Sequence, residues 1–240
     1  MHFLSEKIIS CLEGKKAIDN ERWQPIDLSH YYKTWRAMMR KVTAVLGVEP
    51  YFYPNTNTIK HYSDTFLNNV LTWKHDNPTD KVVIVDARKY IKSPEPMSEL
   101  WRDVCLSHPE GIDIFLYSGH SSPEHLLVYS HCRHDISDDQ RYLGFENAFT
   151  MPLSPNAKIY LYGCQAGGKE GEKWENSIAQ VMADKTGRLV HAYAYRTSQK
   201  QRPDGHYYQK PDRGGLLDFT PQLHLSTSIL PVEEKGKDEL

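Results

Sequence analysis

No stretch of the 240-residue chain approaches the eighteen or so consecutive apolar residues of a membrane-spanning helix, so no membrane partner is expected. The start, Met1-His2-Phe3-Leu4-Ser5-Glu6-Lys7, lacks the basic head and long apolar stretch of a secretory signal. The expectation is therefore a soluble chain, cytoplasmic or delivered into a host cell by another route. Cysteine is scarce: four residues, Cys11, Cys105, Cys132 and Cys164, are too scattered in a chain of this size to form a stapling framework, which favours reduced thiols. An excess of one charge is also missing, because 29 basic against 31 acidic side chains leave a formal net charge of −2, with no footprint for nucleic acid or for an acidic substrate. There is no complete Gly-x-x-x-x-Gly-Lys-Ser/Thr phosphate loop, since Gly163 to Lys169 match its first seven positions but Glu170 stands where the hydroxyl residue is needed, and there is no Gly-x-Ser-x-Gly elbow, no Cys-x-x-Cys and no His-Glu-x-x-His. Internal repeats and low-complexity tracts are absent as well.

What is present is ordinary globular composition, 39% hydrophobic and 25% charged, in a chain long enough for one sizeable core. Its centre is Ala157-Lys158-Ile159-Tyr160-Leu161-Tyr162-Gly163-Cys164-Gln165-Ala166-Gly167-Gly168, an apolar run ending on a cysteine and small residues. The run reads as a strand delivering a thiol. Beyond the glycines, Trp174, Ile178, Val181 and Met182 predict an amphipathic helix. A second run, Ile112 to Tyr117, ends in Ser118-Gly119-His120-Ser121-Ser122-Pro123, so a histidine leaves its strand as the cysteine leaves its own. In open α/β sheets the carboxyl edge is where ligands bind. On neighbouring strands, thiol and imidazole would converge there.

Along the chain, Leu4, Ile8, Cys11 and Leu12, then Tyr31, Trp35, Met38, Met39, Val42, Val45 and Leu46, predict helices, giving a helical extension over residues 1–50. An α/β domain over 51–225 and a polar tail over 226–240 follow. Within the domain, Phe66 to Trp73 predicts a helix and Val82-Val83-Ile84-Val85 a buried parallel strand with Asp86 and Arg88 at its exit. Met97, Leu100, Trp101, Val104 and Cys105 predict a helix with Cys105 in the core, and Leu126 to Tyr129 a hairpin or flap strand. Leu189 to Ala194 and Leu216 to Phe219 predict further strands, with a long polar loop from Thr197 to Gly215 returning to the edge that carries the thiol. The chain ends in Lys237-Asp238-Glu239-Leu240, a match to the address that retains proteins in the endoplasmic reticulum.

A cysteine becomes a useful nucleophile beside a histidine or at the amino end of a helix, and Cys164 is expected to receive both. The alternative is a small buried hydrophobe. The strand ends Ser118-Gly119-His120 and Tyr162-Gly163-Cys164 resemble those of the caspase, gingipain, clostripain and separase clan of cysteine peptidases, most closely bacterial caspase-like domains, over roughly residues 80–200. The resemblance implies a caspase-like three-layer α/β sandwich with a mostly parallel central sheet. It implies an endopeptidase with Cys164 as nucleophile, His120 as general base or acid, and backbone groups of Gly119, Ser121 and Cys164 around the oxyanion. No cofactor or metal would be needed, and the partner would be a protein or peptide substrate. Candidate pocket residues are Asp86, Arg88 and Arg196. Two positions depart from the pattern: Ser121 stands where a glycine normally follows the histidine, and Tyr162 where members specific for basic residues carry Asp. Two other functions remain open: a catalytically silent interaction module, and a zinc-binding domain using His120, His125, His131, Cys132 and His134.

Overall fold

Val82-Val83-Ile84-Val85 is β-branched throughout, a composition that suits a pleated, packed surface better than a helix, and it does form a strand. The protein, a computed structural model, is described over residues 39–48, 59–129, 142–143, 150–169 and 172–222. The elements begin with β1 (Lys41–Leu46), α1 (Ile59–Asp76), β2 (Lys81–Asp86), a 3-10 turn (Ala87–Tyr90), α2 (Pro96–Ser107) and β3 (Ile112–Ser118). Next come the short β4 (His120–Ser121), β5 (Leu126–Leu127) and β6 (Tyr142–Leu143), the long β7 (Leu153–Tyr162), and the small β8 (Gly168–Lys169) and β9 (Glu172–Lys173). The last are α3 (Ile178–Thr186), β10 (Leu189–Tyr193), β11 (Thr197–Gln201), β12 (Tyr207–Pro211) and β13 (Leu216–Phe219). All described residues belong to one compact unit, which begins at Met39.

Six strands form the central sheet in the order β13-β10-β7-β3-β1-β2. All neighbours are parallel except β10 and β13. The architecture is thus α/β around a mostly parallel sheet. On one face lie α2 and α3, whose Met97, Leu100, Trp101, Val104, Ile178, Ala179, Met182 and Ala183 share a core with Phe115, Tyr117, Ile159, Leu161 and Val190. On the other, Phe66 and Val70 of α1 pack with Ala44, Leu46 and Leu116. The spacing of Met97, Leu100, Trp101 and Val104 is that of one helix face, and Pro96 suits the first turn, where an N–H would lack a partner anyway. Ser177 caps α3 by accepting from the Gln180 N–H at 3.2 Å, and Gly187 closes it in the left-handed conformation at φ +66°.

Three expectations change. The helix extended over Val42, Val45 and Leu46 is instead β1, a strand inside the sheet. It is buried from Val42 to Leu46, so it shows no alternation, and its apolar residues also fit a helical period. The loop from Thr197 to Gly215 is a hairpin of β11 and β12, paired from Thr197↔Pro211 to Gln201↔Tyr207. Cys105 is only partly buried at the margin of the core, its Sγ 3.9 Å from the Thr150 carbonyl, and burial pushes its thiol up. The flap strand expected over Leu126 to Tyr129 appears as β5, Leu126–Leu127 alone, antiparallel to β4 and also to β6, for which there is no expectation from the sequence. The helix expected over residues 4–12, the part of the second expected helix over 31–38 and the C-terminal tetrapeptide lie outside the described residues.

Among the described residues no helix is long and apolar enough to cross a membrane.

Candidate functional site

Two parallel neighbours, β3 and β7, carry the site. Their register runs from Ile114↔Lys158 to Ser118↔Tyr162, and the Gly119 N–H then donates to the Tyr162 carbonyl at 3.3 Å, so the two chains leave the sheet side by side. One residue further are His120 and Cys164, both partly exposed. The Ser121 hydroxyl donates to the Cys164 carbonyl at 2.7 Å and ties the two exits together. Gly163 makes room for this: a Cβ there would lie 2.2 Å from Ser121 Oγ and 2.8 Å from its Cβ. The Ser121 side chain is thus matched by a glycine on the opposite strand.

Gly119 answers to a different neighbour. A Cβ at 119 would stand 2.4 Å from the Tyr117 hydroxyl and 3.2 Å from Gly47 Cα. Tyr117, fully buried, donates to the His120 carbonyl at 2.5 Å and lies 3.1 Å from the Leu127 carbonyl. Burial, and secondarily the charge that Cys164 can carry, push its hydroxyl well above the ordinary tyrosine range, so it remains a protonated donor beneath the turn. The His120 ring stands edge-on to Phe66 of α1, with centroids 5.2 Å apart.

After the cysteine the backbone turns through Gln165, the one non-glycine residue with positive φ (59°) among those described. Such a conformation costs about 1 kcal/mol or more for a side chain that is not Asn or Asp, and it tends to persist where the surroundings hold it. They do so here: the Gln165 N–H donates to the Tyr195 carbonyl at 3.0 Å, and its carbonyl accepts from Gly168 at 3.1 Å. Gly167 must lack a side chain, because a Cβ would meet the Phe219 ring at 2.6 Å.

The expected contribution of a helix amino end to the thiol changes. Between Cys164 and α3 stands the β8–β9 hairpin, so Trp174 precedes the helix rather than riding on it. The first N–H groups of α3 are taken: Ile178 donates to the Pro123 carbonyl at 2.7 Å and Ala179 to the Ala166 carbonyl at 3.1 Å. The helix start therefore clamps the turn after His120 to the turn after Cys164. Its role is to hold the two exits together.

Asp86 and Arg88 are not brought to this site. They pair with each other, Arg88 Nε lying 2.9 Å from both carboxylate oxygens and the Arg88 N–H 3.0 Å from Oδ1, around the 3-10 turn that Asp86 caps. They also follow β2, which β1 and β3 separate from β7, a lateral distance of about 14 Å at normal strand spacing. Arg196 is closer: it is exposed and stands between Tyr195, which accepts from Gln165, and Thr197, which meets the thiol. No group of three or more His, Cys, Asp or Glu able to hold a metal occurs among the described residues; His131, Cys132 and His134 lie outside them.

Thr197, Gln209 and Asn69 were not legible as site residues. The Cys164 sulfur lies 3.4 Å from both the N–H and the Oγ1 of Thr197 and 3.7 Å from its carbonyl. The amide of Gln209 donates to Thr197 Oγ1, and Asn69 Nδ2 reaches Gln209 Oε1 at 3.4 Å. The only trace in the sequence is Asn69 itself, a polar residue among Phe66, Leu67 and Val70 on the apolar stripe of α1. Next to this link, Trp73, Tyr162, Tyr193, Tyr208, Asp76 and Arg202 line a cleft of about 310 Å³ between α1, the sheet and the β11–β12 hairpin. The Arg202 guanidinium lies 2.8 Å from the nearer oxygen of Asp76. The chain finds no match among models of known protein families or among curated proteins.

Proposed function

We propose that the protein is a caspase-like cysteine endopeptidase in which Cys164 and His120 form the catalytic dyad. What carries this is the pairing of β3 with β7, which sends both residues off the carboxyl edge of the sheet from adjacent strands, cross-tied by the Ser121 hydroxyl. In the reaction, the Cys164 sulfur attacks the substrate carbonyl carbon and His120 takes up the thiol proton. The developing oxyanion is met by the backbone N–H groups of Cys164 and Ser121, since a serine offers the same donor as a glycine. The imidazolium then passes its proton to the leaving amine as the C–N bond breaks, leaving a thioester. Water, deprotonated by His120, attacks the thioester and releases the acid. Protein or peptide is the substrate, and Arg196 on the β7 side is the candidate pocket residue the fold keeps near the thiol.

The test is hydrolysis of a broad fluorogenic peptide library by the wild type, Cys164→Ala and His120→Ala. Cleavage by the wild type that each substitution reduces by at least about a thousandfold supports the dyad. Absence of any cleavage and of any acyl-enzyme in intact-mass spectra would overturn it in favour of a silent interaction module.

A further inference from the structure

The side chains behind the thiol form a hydrogen-bonded line whose polarity is fixed from one end. Ser118, fully buried, donates its hydroxyl to the Phe66 carbonyl at 3.1 Å, which leaves Ser118 Oγ as the acceptor for Asn69 Nδ2 at 3.1 Å. The same amide nitrogen of Asn69 donates to Gln209 Oε1 at 3.4 Å. With its oxygen turned to Asn69, Gln209 presents Nε2 to Thr197 Oγ1. The Thr197 hydroxyl is thereby made an acceptor toward Gln209, and its single proton is left for the Cys164 sulfur 3.4 Å away. A second donor, the Thr197 N–H, points at the same sulfur from 3.4 Å.

We infer that Thr197 is a two-donor cradle for the Cys164 thiolate, aligned by Gln209 and Asn69 as positioning residues. The inference rests on Cys164 being the nucleophile of the proposed peptidase. Hydrogen bonds to the charged form of a group favour that form, and here two donors face the sulfur. The Thr197 carbonyl at 3.7 Å opposes them by accepting the thiol proton, but it is one longer contact against two shorter ones. The line also accounts for a costly feature of α1. Asn69 is only 6% exposed and its Oδ1 is buried without a partner, a penalty tolerated where the amide nitrogen is needed by both Ser118 and Gln209. Because β11 begins at Thr197, the hairpin serves the sulfur directly, whatever it does for substrate choice.

Among the described residues, the titratable and charged groups placed toward the thiol are His120 just beyond β3, Tyr117 beneath that turn and Arg196 beside Thr197, and the test leaves all three in place. It measures the rate at which iodoacetamide alkylates Cys164 between pH 5 and 10, read by peptide mapping so that other thiols do not contribute. Thr197→Val keeps the shape and the N–H but removes the hydroxyl. The expected result is a fall of about tenfold in rate at neutral pH with the profile displaced to higher pH, since bonds to charged groups are of that strength. Thr197→Ser restores both, which a purely packing role would not require. Gln209→Leu, away from the sulfur, releases the hydroxyl and gives a smaller displacement in the same direction, so the inference stays testable if Thr197→Val does not fold. A wild-type profile in Thr197→Val or, failing that, in Gln209→Leu would overturn the inference. The probe is not a substrate: a protein that cleaves peptides but shows no displacement defeats the cradle alone, and one that shows the displacement but cleaves nothing defeats the peptidase alone.

Discussion

Gly163→Ala tests the geometry of the site at its tightest point. The added methyl would stand 2.2 Å from Ser121 Oγ, 2.8 Å from Ser121 Cβ and 3.1 Å from the Gly119 carbonyl, where an ordinary contact begins at 3.4 Å. The exits of β3 and β7 must therefore separate by about 1 Å, breaking the 2.7 Å bond from Ser121 to the Cys164 carbonyl. Overpacking of this kind costs about 1–3 kcal/mol, and the lost hydrogen bond about 1 kcal/mol more. A 1 Å displacement of reacting groups costs about 100-fold in rate, so turnover should suffer more than stability. Urea denaturation and peptide hydrolysis measure the two separately. In the double variant with Ser121→Gly the two nearest obstacles are gone while the Gly119 carbonyl remains, which predicts partial recovery and a favourable coupling energy. Wild-type stability and rate in Gly163→Ala, or a double variant no better than the single one, would refute the account of how the two exits fit.

Further outcomes follow from the rest of the fold. Asp80, its side chain 1% exposed, accepts from Arg40 Nε at 2.8 Å, Arg40 Nη2 at 3.0 Å and Trp73 Nε1 at 2.9 Å. Asp80→Ala should cost about 1–3 kcal/mol in urea denaturation, because it leaves the Trp73 indole N–H without its acceptor and removes the partner of the exposed Arg40, and a loss below about 0.5 kcal/mol would contradict this. His108 is fully buried, with Nε2 3.3 Å from the Val42 carbonyl, and burial holds its folded value below the ordinary one of 6.5. Its contribution is complete above pH of about 6.5 and is lost as the pH falls toward the folded value, because the unfolded chain binds the proton first. His108→Gln should flatten the acid-side fall of the unfolding free energy from urea denaturation by up to about 1.4 kcal/mol per pH unit, and an unchanged slope would contradict it. Cys105, its thiol pushed up by burial, should alkylate far more slowly than Cys164 at neutral pH in a peptide-mapped time course, and equal rates would contradict that.

The strands that carry Cys164 and His120 were legible because each is a short apolar run stopped by glycine. The strand order was not, and the reason is β1. A strand buried on both faces loses the alternation that identifies it, and Val42, Val45 and Leu46 fit a helix equally well. Without β1, the exit of β2 looks adjacent to that of β3; with it, Asp86 and Arg88 move one strand further from the thiol and turn to each other. The hairpin was hidden for the opposite reason. Thr197–Gln201 and Tyr207–Pro211 carry little apolar signal, and they attach to α1 through polar groups, Gln199 Nε2 to the Thr65 carbonyl at 2.8 Å and the Thr72 hydroxyl to the Tyr207 carbonyl. The line from Asn69 through Gln209 to Thr197 joins residues 140 and 12 positions apart in the chain, a proximity that no local pattern encodes.

The dyad itself is tested most directly by covalent trapping. The wild type and His120→Ala are exposed to a panel of peptidyl acyloxymethyl ketones at neutral pH, and the adduct on Cys164 is followed by intact mass and peptide mapping. A dyad predicts rapid, single-site modification of Cys164 by at least one peptide sequence, slowed at least about 100-fold in His120→Ala. Labelling of Cys164 at the same rate in both proteins would contradict it.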